Sequence, residues 1–190
     1  MSRKITILLV GLALLVIGTY AQKQADKSRP KSNIQYDYAI KAQEGVPIKV
    51  VQAIDGDTVE LINGQRLRYV GIDTPEEFDE RKPVQCFAHK AAEKNRELVS
   101  GHMVTFHKDV TATDMYGRLL GYVYLEDGTF VNLEMVKQGF AFSYVYPPDV
   151  AKTEIFRKAE TEARTQKLGL WNACETYKTS SGRMQTEAAN

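Results

Sequence analysis

The sequence predicts an α+β chain built on a small closed or partly open β-barrel with attached helices. Three observations carry that reading. The apolar and β-branched pattern marks out about five short strands. Asn63-Gly64 separates two of them and is a strong short-turn signal. Helical segments are interleaved among the strands and a long one comes last, an order that does not match alternating βαβ units. At 190 residues, 43% apolar and 26% charged, the chain has enough material for one domain with a real core, plus end segments. The formal net charge of +1 gives no general attraction to polyanions, so any nucleic-acid recognition must be local to a site.

Residues 1–21 form the first segment. Arg3 and Lys4 precede an apolar run over residues 5–17, and Thr19 and Ala21 are small residues that fit cleavage before Gln22. A signal peptide is expected, with an uncleaved membrane anchor as the rival. The run is shorter than the roughly 20 residues of a comfortable span, which favours cleavage. Either way the domain is expected outside the cytoplasm: secreted, periplasmic or anchored. Residues 22–45 are mostly polar and irregular and read as a flexible linker.

The folded domain is expected over residues 46–176. Residues 46–54 read as a strand, and 57–62 and 66–72 as a hairpin around Asn63-Gly64. Thr74-Pro75 breaks the sheet, and a charged loop runs to Pro83. A helix is expected over residues 85–100, with Phe87, Ala91 and Leu98 on one face and Gly101 as its stop. Residues 104–107 and 119–125 read as strands, with Asp127-Gly128 turning into residues 129–131. A short helix over 133–138 ends at Gly139, and residues 140–146 are extended and aromatic. The last helix follows Pro147-Pro148 and runs to about Lys167. Residues 177–190 are polar and read as a disordered tail.

The chemistry concentrates between Asp55 and Glu76. A hairpin makes strand ends neighbours, so Asp57 and Asp73 can share a hard cation, with the Thr74 carbonyl as a further oxygen. Glu76 can accept a proton from water beside such an ion. Arg68 and, after a turn, Arg118 offer the planar donor fork that suits phosphate. Alone, each residue reads equally well as a turn or surface group. Jointly they are the parts needed to hydrolyse a phosphodiester. The histidines (His89, His102 and His107) have no metal-ligand spacing, and neither a CxxC motif nor a Ser-His-Asp arrangement is evident. The two cysteines, Cys86 and Cys174, suggest a disulfide in an oxidising compartment, with two separate buried thiols as the alternative.

These residues carry a resemblance. Asp55-Gly56-Asp57-Thr58, the run from Arg68 through Ile72-Asp73-Thr74-Pro75-Glu76, and Asp114-Met115-Tyr116-Gly117-Arg118 resemble the staphylococcal nuclease (thermonuclease) family. The likeness continues through Val136-Lys137-Gln138-Gly139, Tyr144-Val145-Tyr146 and Leu168-Gly169-Leu170-Trp171, covering about residues 46 to 175. It implies a five-stranded OB-fold β-barrel with three α-helices. It implies Ca²⁺ held by Asp57, Asp73 and Thr74, Glu76 as general base, and Arg68 and Arg118 on the phosphate. Asp55 would stand behind the ligands, and Tyr116, Tyr144 and Tyr146 would line the nucleotide site. The implied activity is cleavage of DNA and RNA, with little sequence preference, to leave 3′-phosphate ends.

Two departures stand out. Met115 occupies a position where the familiar enzyme of the family has a lysine near a nucleotide phosphate, and the hairpin between Asp57 and Arg68 is shorter. In the aromatic run, Phe140 and Phe142 are expected to be structural and the tyrosines to reach the site. A monomer is expected. The competing reading is a non-catalytic OB-fold nucleic-acid-binding module. A Ca²⁺-stabilised structural domain would leave Arg68 and Arg118 without a role.

Overall fold

The computed structural model describes residues 35–77 and 83–189. The expected signal or anchor segment, the first part of the linker and most of the charged loop before Pro83 lie outside the described residues. Among the described residues, no helix is long and apolar enough to cross a membrane.

Five strands close into a barrel: β1 (Ile48–Ala53), β2 (Thr58–Leu61), β3 (Arg66–Tyr69), β5 (Met103–His107) and β6 (Leu119–Leu125), in the order β1-β2-β3-β6-β5. All neighbours are antiparallel except β3 and β6, which run parallel. Alternation along the strands sends Val50, Val59, Leu61, Leu67, Val104 and Val123 into the fully buried interior. The β2–β3 turn closes at Asn63-Gly64 as expected. Gly64 takes φ +80°, and the Asn63 side chain accepts from the Gln65 N–H at 3.0 Å.

Among the described residues the helices are α1 (Ala88–Val99), α2 (Val131–Lys137), α3 (Thr153–Thr165) and the one-turn α4 (Leu170–Ala173). The last is additional to the three expected. Helix α1 begins later than the pattern suggested, because Phe87 takes a left-handed φ of 72° and breaks the helix there. Its buried face is Ala88, Ala91, Ala92, Asn95 and Val99; of the expected face, Ala91 is buried, Leu98 packs part-buried against the core, and Phe87 lies outside the helix. Helix α2 starts at Val131, so residues 129–131 contribute only a single bridge, between Tyr124 and Phe130. Buried Asn132 fastens α2 to the parallel pair: its Oδ1 accepts from Val123 N (2.9 Å), and its Nδ2 donates to Val70 O (2.9 Å). Helix α3 buries Phe156, Ala159 and Ala163 along one stripe. Phe156 packs so closely on Gly71 (φ +80°) that a Cβ there would lie 2.3 Å from its ring. That glycine lets the chain turn from β3 into the short β4 (Ile72–Asp73), which pairs with β7 (Phe142–Ser143). The extended aromatic run is thus in a ladder only at its centre.

Two expectations about the ends are corrected. Residues 35–45 are not free linker: Tyr36 Oη donates to Glu60 (2.9 Å), and Asp37 N–H to Ile62 O (2.7 Å). Residues 177–189 are not a disordered tail. They complete a hairpin of β8 (Thr176–Lys178) and β9 (Met184–Thr186). Backbone bonds from Cys86 N to Glu187 O (2.7 Å) and from Ala189 N to Val84 O (2.8 Å) dock it. The composition is polar, but the hairpin satisfies its backbone against an existing segment and so needs little core of its own. A Cys86–Cys174 disulfide, Cα atoms 5.9 Å apart, precedes β8.

Candidate active site

The site sits where the start of β2 meets the ends of β3 and β4. The loop into β2 is shaped by its own acids: Asp55 Oδ1 accepts from the Asp57 N–H at 3.0 Å. Gly56 allows Thr74 to lie against this loop, since a Cβ on Gly56 would come within 2.7 Å of the Thr74 side chain. The Thr74 backbone N–H and hydroxyl both donate to Asp57 Oδ2, each at 3.0 Å. The hairpin therefore brings residue 57 and residues 73–74 together, as the sequence led us to expect.

Asp57 and Asp73 are both buried, 5% and 2% exposed. Two ionised carboxylates so placed repel each other and need positive charge close by. Arg68 supplies it from the middle of β3, with Nη1 on Asp57 Oδ1 and Nη2 on Asp73 Oδ1 at 3.0 Å. Asp55 stands behind. Burial pushes its carboxyl above the ordinary range, and the Arg68 charge opposes that shift. This cluster is an all-oxygen donor set of two carboxylates with the Thr74 backbone beside them, in a place that demands cations. It fits a hard divalent ion such as Ca²⁺.

A buried chain of polar contacts holds the acid loop from behind. The Tyr69 hydroxyl donates to Asn95 Oδ1 (2.8 Å), and Asn95 Nδ2 donates to the Asp55 carbonyl (2.8 Å). Glu76 leaves β4 half-buried. Its backbone is clamped by Gln85, whose Oε1 accepts from Glu76 N (2.8 Å) and whose N–H donates to Glu76 O (3.0 Å). Sequence reasoning passed over Asn95 and Gln85. The only signal for Asn95 is its place among alanines on the buried stripe of α1.

Arg118 arrives on a different support. Asp114 Oδ1 accepts from the N–H groups of Tyr116 (2.9 Å) and Arg118 (3.0 Å), while Asp114 Oδ2 pairs with Arg118 Nε at 2.6 Å. Burial works against ionisation of Asp114, but the Arg118 bonds and charge prevail and hold its carboxyl below the ordinary range. The guanidinium also lies 5.5 Å from the centre of the Tyr116 ring. Tyr144 and Tyr146 stack on each other with centroids 6.1 Å apart. Phe142 is instead buried edge-on against Trp171. Arg68, Arg118, Met115 and the three tyrosines share one groove of about 410 Å³. Arg68 thus faces the groove on one side and the acids on the other. Thr74, Asp57 and Asp73 lie behind it. One residue that the sequence reading did not single out also enters: Arg183, from the C-terminal hairpin, grips Asp73 through Nε and Nη2, both at 2.5 Å.

The model for staphylococcal nuclease homologues matches residues 66–173, which include Arg68, Asp73, Glu76, Arg118 and the three tyrosines but neither Asp57 nor Arg183. Endonuclease YncB of Bacillus subtilis (strain 168) is 39% identical over 132 residues, which are 67% of this chain and 62% of that protein. The SPbeta prophage-derived endonuclease YokF of the same organism is 37% identical over 135 residues, 68% of this chain and 45% of its own length. The thermonuclease of Staphylococcus intermedius is 34% identical over 125 residues, 64% of this chain and 74% of that protein. The match therefore spans less than two thirds of either Bacillus protein.

Proposed function

Since the chain belongs to the staphylococcal nuclease family, we propose that it is an exported, Ca²⁺-dependent nuclease that hydrolyses phosphodiester bonds of DNA and RNA. The observation that carries this reading is the pair of buried carboxylates bridged by Arg68, with Arg118 opening onto the same groove. Asp57, Asp73 and Thr74 would hold the Ca²⁺ ion, which when bound supplies Lewis-acid stabilisation of charge on the phosphate. The remaining work belongs to the chain. Glu76 accepts the proton of the attacking water. Arg68 and Arg118 grip the non-bridging oxygens and oppose the charge that grows at the pentacoordinate phosphorus. The bond from phosphorus to O5′ breaks, leaving a 3′-phosphate.

Tyr116, Tyr144 and Tyr146 offer faces on which bases stack whatever their identity, which suits low sequence preference. The protein acts as a monomer outside the cytoplasm, where the Cys86–Cys174 bridge persists. The test is a gel assay of DNA and RNA cleavage by purified residues 22–190, with Ca²⁺ and with a chelator, alongside Glu76→Gln. Cleavage that needs Ca²⁺ and falls by ~10²–10⁴ in Glu76→Gln is expected. Strand binding without cleavage would leave the aromatic groove as a non-catalytic nucleic-acid-binding module.

A further inference from the structure

The C-terminal hairpin carries Arg183 to the acid cluster. Its turn is closed by Thr179: the Thr179 N–H donates to Arg183 O (2.9 Å), and the Arg183 N–H donates back to the Thr179 hydroxyl oxygen (3.1 Å). The base of the hairpin is fastened at Thr186, whose hydroxyl donates to Cys86 O (2.8 Å), and by the disulfide next to β8. The segment it docks on continues into Gln85, which clamps the Glu76 backbone. Arg183 is thereby delivered to the acids with little freedom. Its fork takes one oxygen of Asp73 through Nε and the other through Nη2, and its guanidinium lies 5.7 Å from the centre of the Tyr144 ring.

A carboxylate with a guanidinium across both oxygens, and Arg68 on one of them as well, has few lone pairs left for a cation. A divalent ion and the Arg183 fork compete for the same oxygens. We propose that Arg183 is a resident counter-cation of the site, which holds Asp73 until a divalent ion displaces it and so sets the site's affinity for that ion. The inference rests on the reading of Asp73 as a metal ligand. It adds a residue that lies outside the stretch matched by the family model.

Calcium titration calorimetry on the disulfide-intact chain, residues 22–190, tests it. Arg183→Ala is expected to bind Ca²⁺ ~10- to 100-fold more tightly than the parent, from the loss of one charge-assisted contact. Arg183→Lys, a point charge without the fork, is expected to fall between. Unchanged or weaker affinity in Arg183→Ala overturns the proposal, because a hairpin that merely stiffens the site would weaken binding when disturbed. The parent protein provides a second measurement that needs no variant. The Arg183 Nε–H resonance should shift, and its hydrogen exchange should quicken, on Ca²⁺ saturation, and a resonance that stays put also overturns it. Asp73→Asn separates the two readings. If it binds Ca²⁺ like the parent, Asp73 is not a ligand and the proposed function fails with the inference. If it loses Ca²⁺ while the Arg183 variants match the parent, the inference alone fails.

Discussion

The two sides of Arg68, the acids behind it and the aromatic groove before it, are built by opposite means. On the acid side, contacts come from far along the chain: Asp57 is bonded to Thr74, 17 residues on, and Asn95 reaches Asp55 across 40. Asp57 and Asp73 are buried there and Arg68 nearly so. On the aromatic side, Arg118 is held by Asp114 only four residues away, and Tyr116 and Tyr146 are 76% and 64% exposed. Buried like charges hold their geometry only when the fold over-determines it, so the acid side is rigid by necessity. Under the proposed function a strand of varying sequence needs surfaces that adjust, and the exposed rings of Tyr116 and Tyr146 would supply them. The contrast teaches that charge placement is a property of the whole barrel, while the exposed aromatic face is a property of loops laid on it.

The contrast is most exposed to failure at Arg118. Arg118→Ala should lower turnover on a DNA substrate by ~10²–10³ while the melting temperature stays within error, because a partly exposed pair four residues apart adds little stability. A large drop in melting temperature would mean that the aromatic side is structural after all. Next in size is Asn95→Ala, which leaves the buried Tyr69 hydroxyl and the Asp55 carbonyl without partners. Urea unfolding should show a loss of about 1–3 kcal/mol, together with weaker Ca²⁺ binding. Unaltered stability would break the claim that the acid side is knit from behind.

Tyr146→Ala should raise KM about tenfold, from the loss of one stacking face, with kcat and unfolding midpoint unchanged. The smallest effect concerns pH. The folded-state carboxyl of Asp114 lies below its ordinary value, so its contribution is fully present above the ordinary aspartate range and is lost as pH falls through the lowered value. The stability difference between the parent and Asp114→Asn should therefore be flat from neutral pH down to that range and shrink below it. A difference that grew on acidification would reverse the sign of this pair.

Much of the barrel was legible because its signals are local. The turn at Asn63-Gly64, the alternation in β5 and β6, and the spacing that puts Asp73 five residues after Arg68 all act within a few residues. Helix α1 was legible, with Ala91 and Leu98 on its core side, but its start was set too early, since a left-handed Phe87 is not visible in a periodicity. Asn95, Gln85 and Asn132 escaped notice for one reason: a polar side chain on a helix or loop looks solvated until its partners are known. The tail escaped because pairing through backbone groups leaves almost no trace in side-chain pattern.

The sequence by itself determined the fold class and the family likeness, and it put forward Asp57, Asp73, Glu76, Arg68, Arg118 and the three tyrosines as candidates for the site. These follow from short-range periodicity, turn chemistry and motif spacing. Only the tertiary structure decided that β3 runs parallel to β6, that Asn95 and Gln85 brace the acids, and that Arg183 lies on Asp73 from 110 residues away. Those facts depend on which distant groups must share a buried place, and burial is a property of the folded whole.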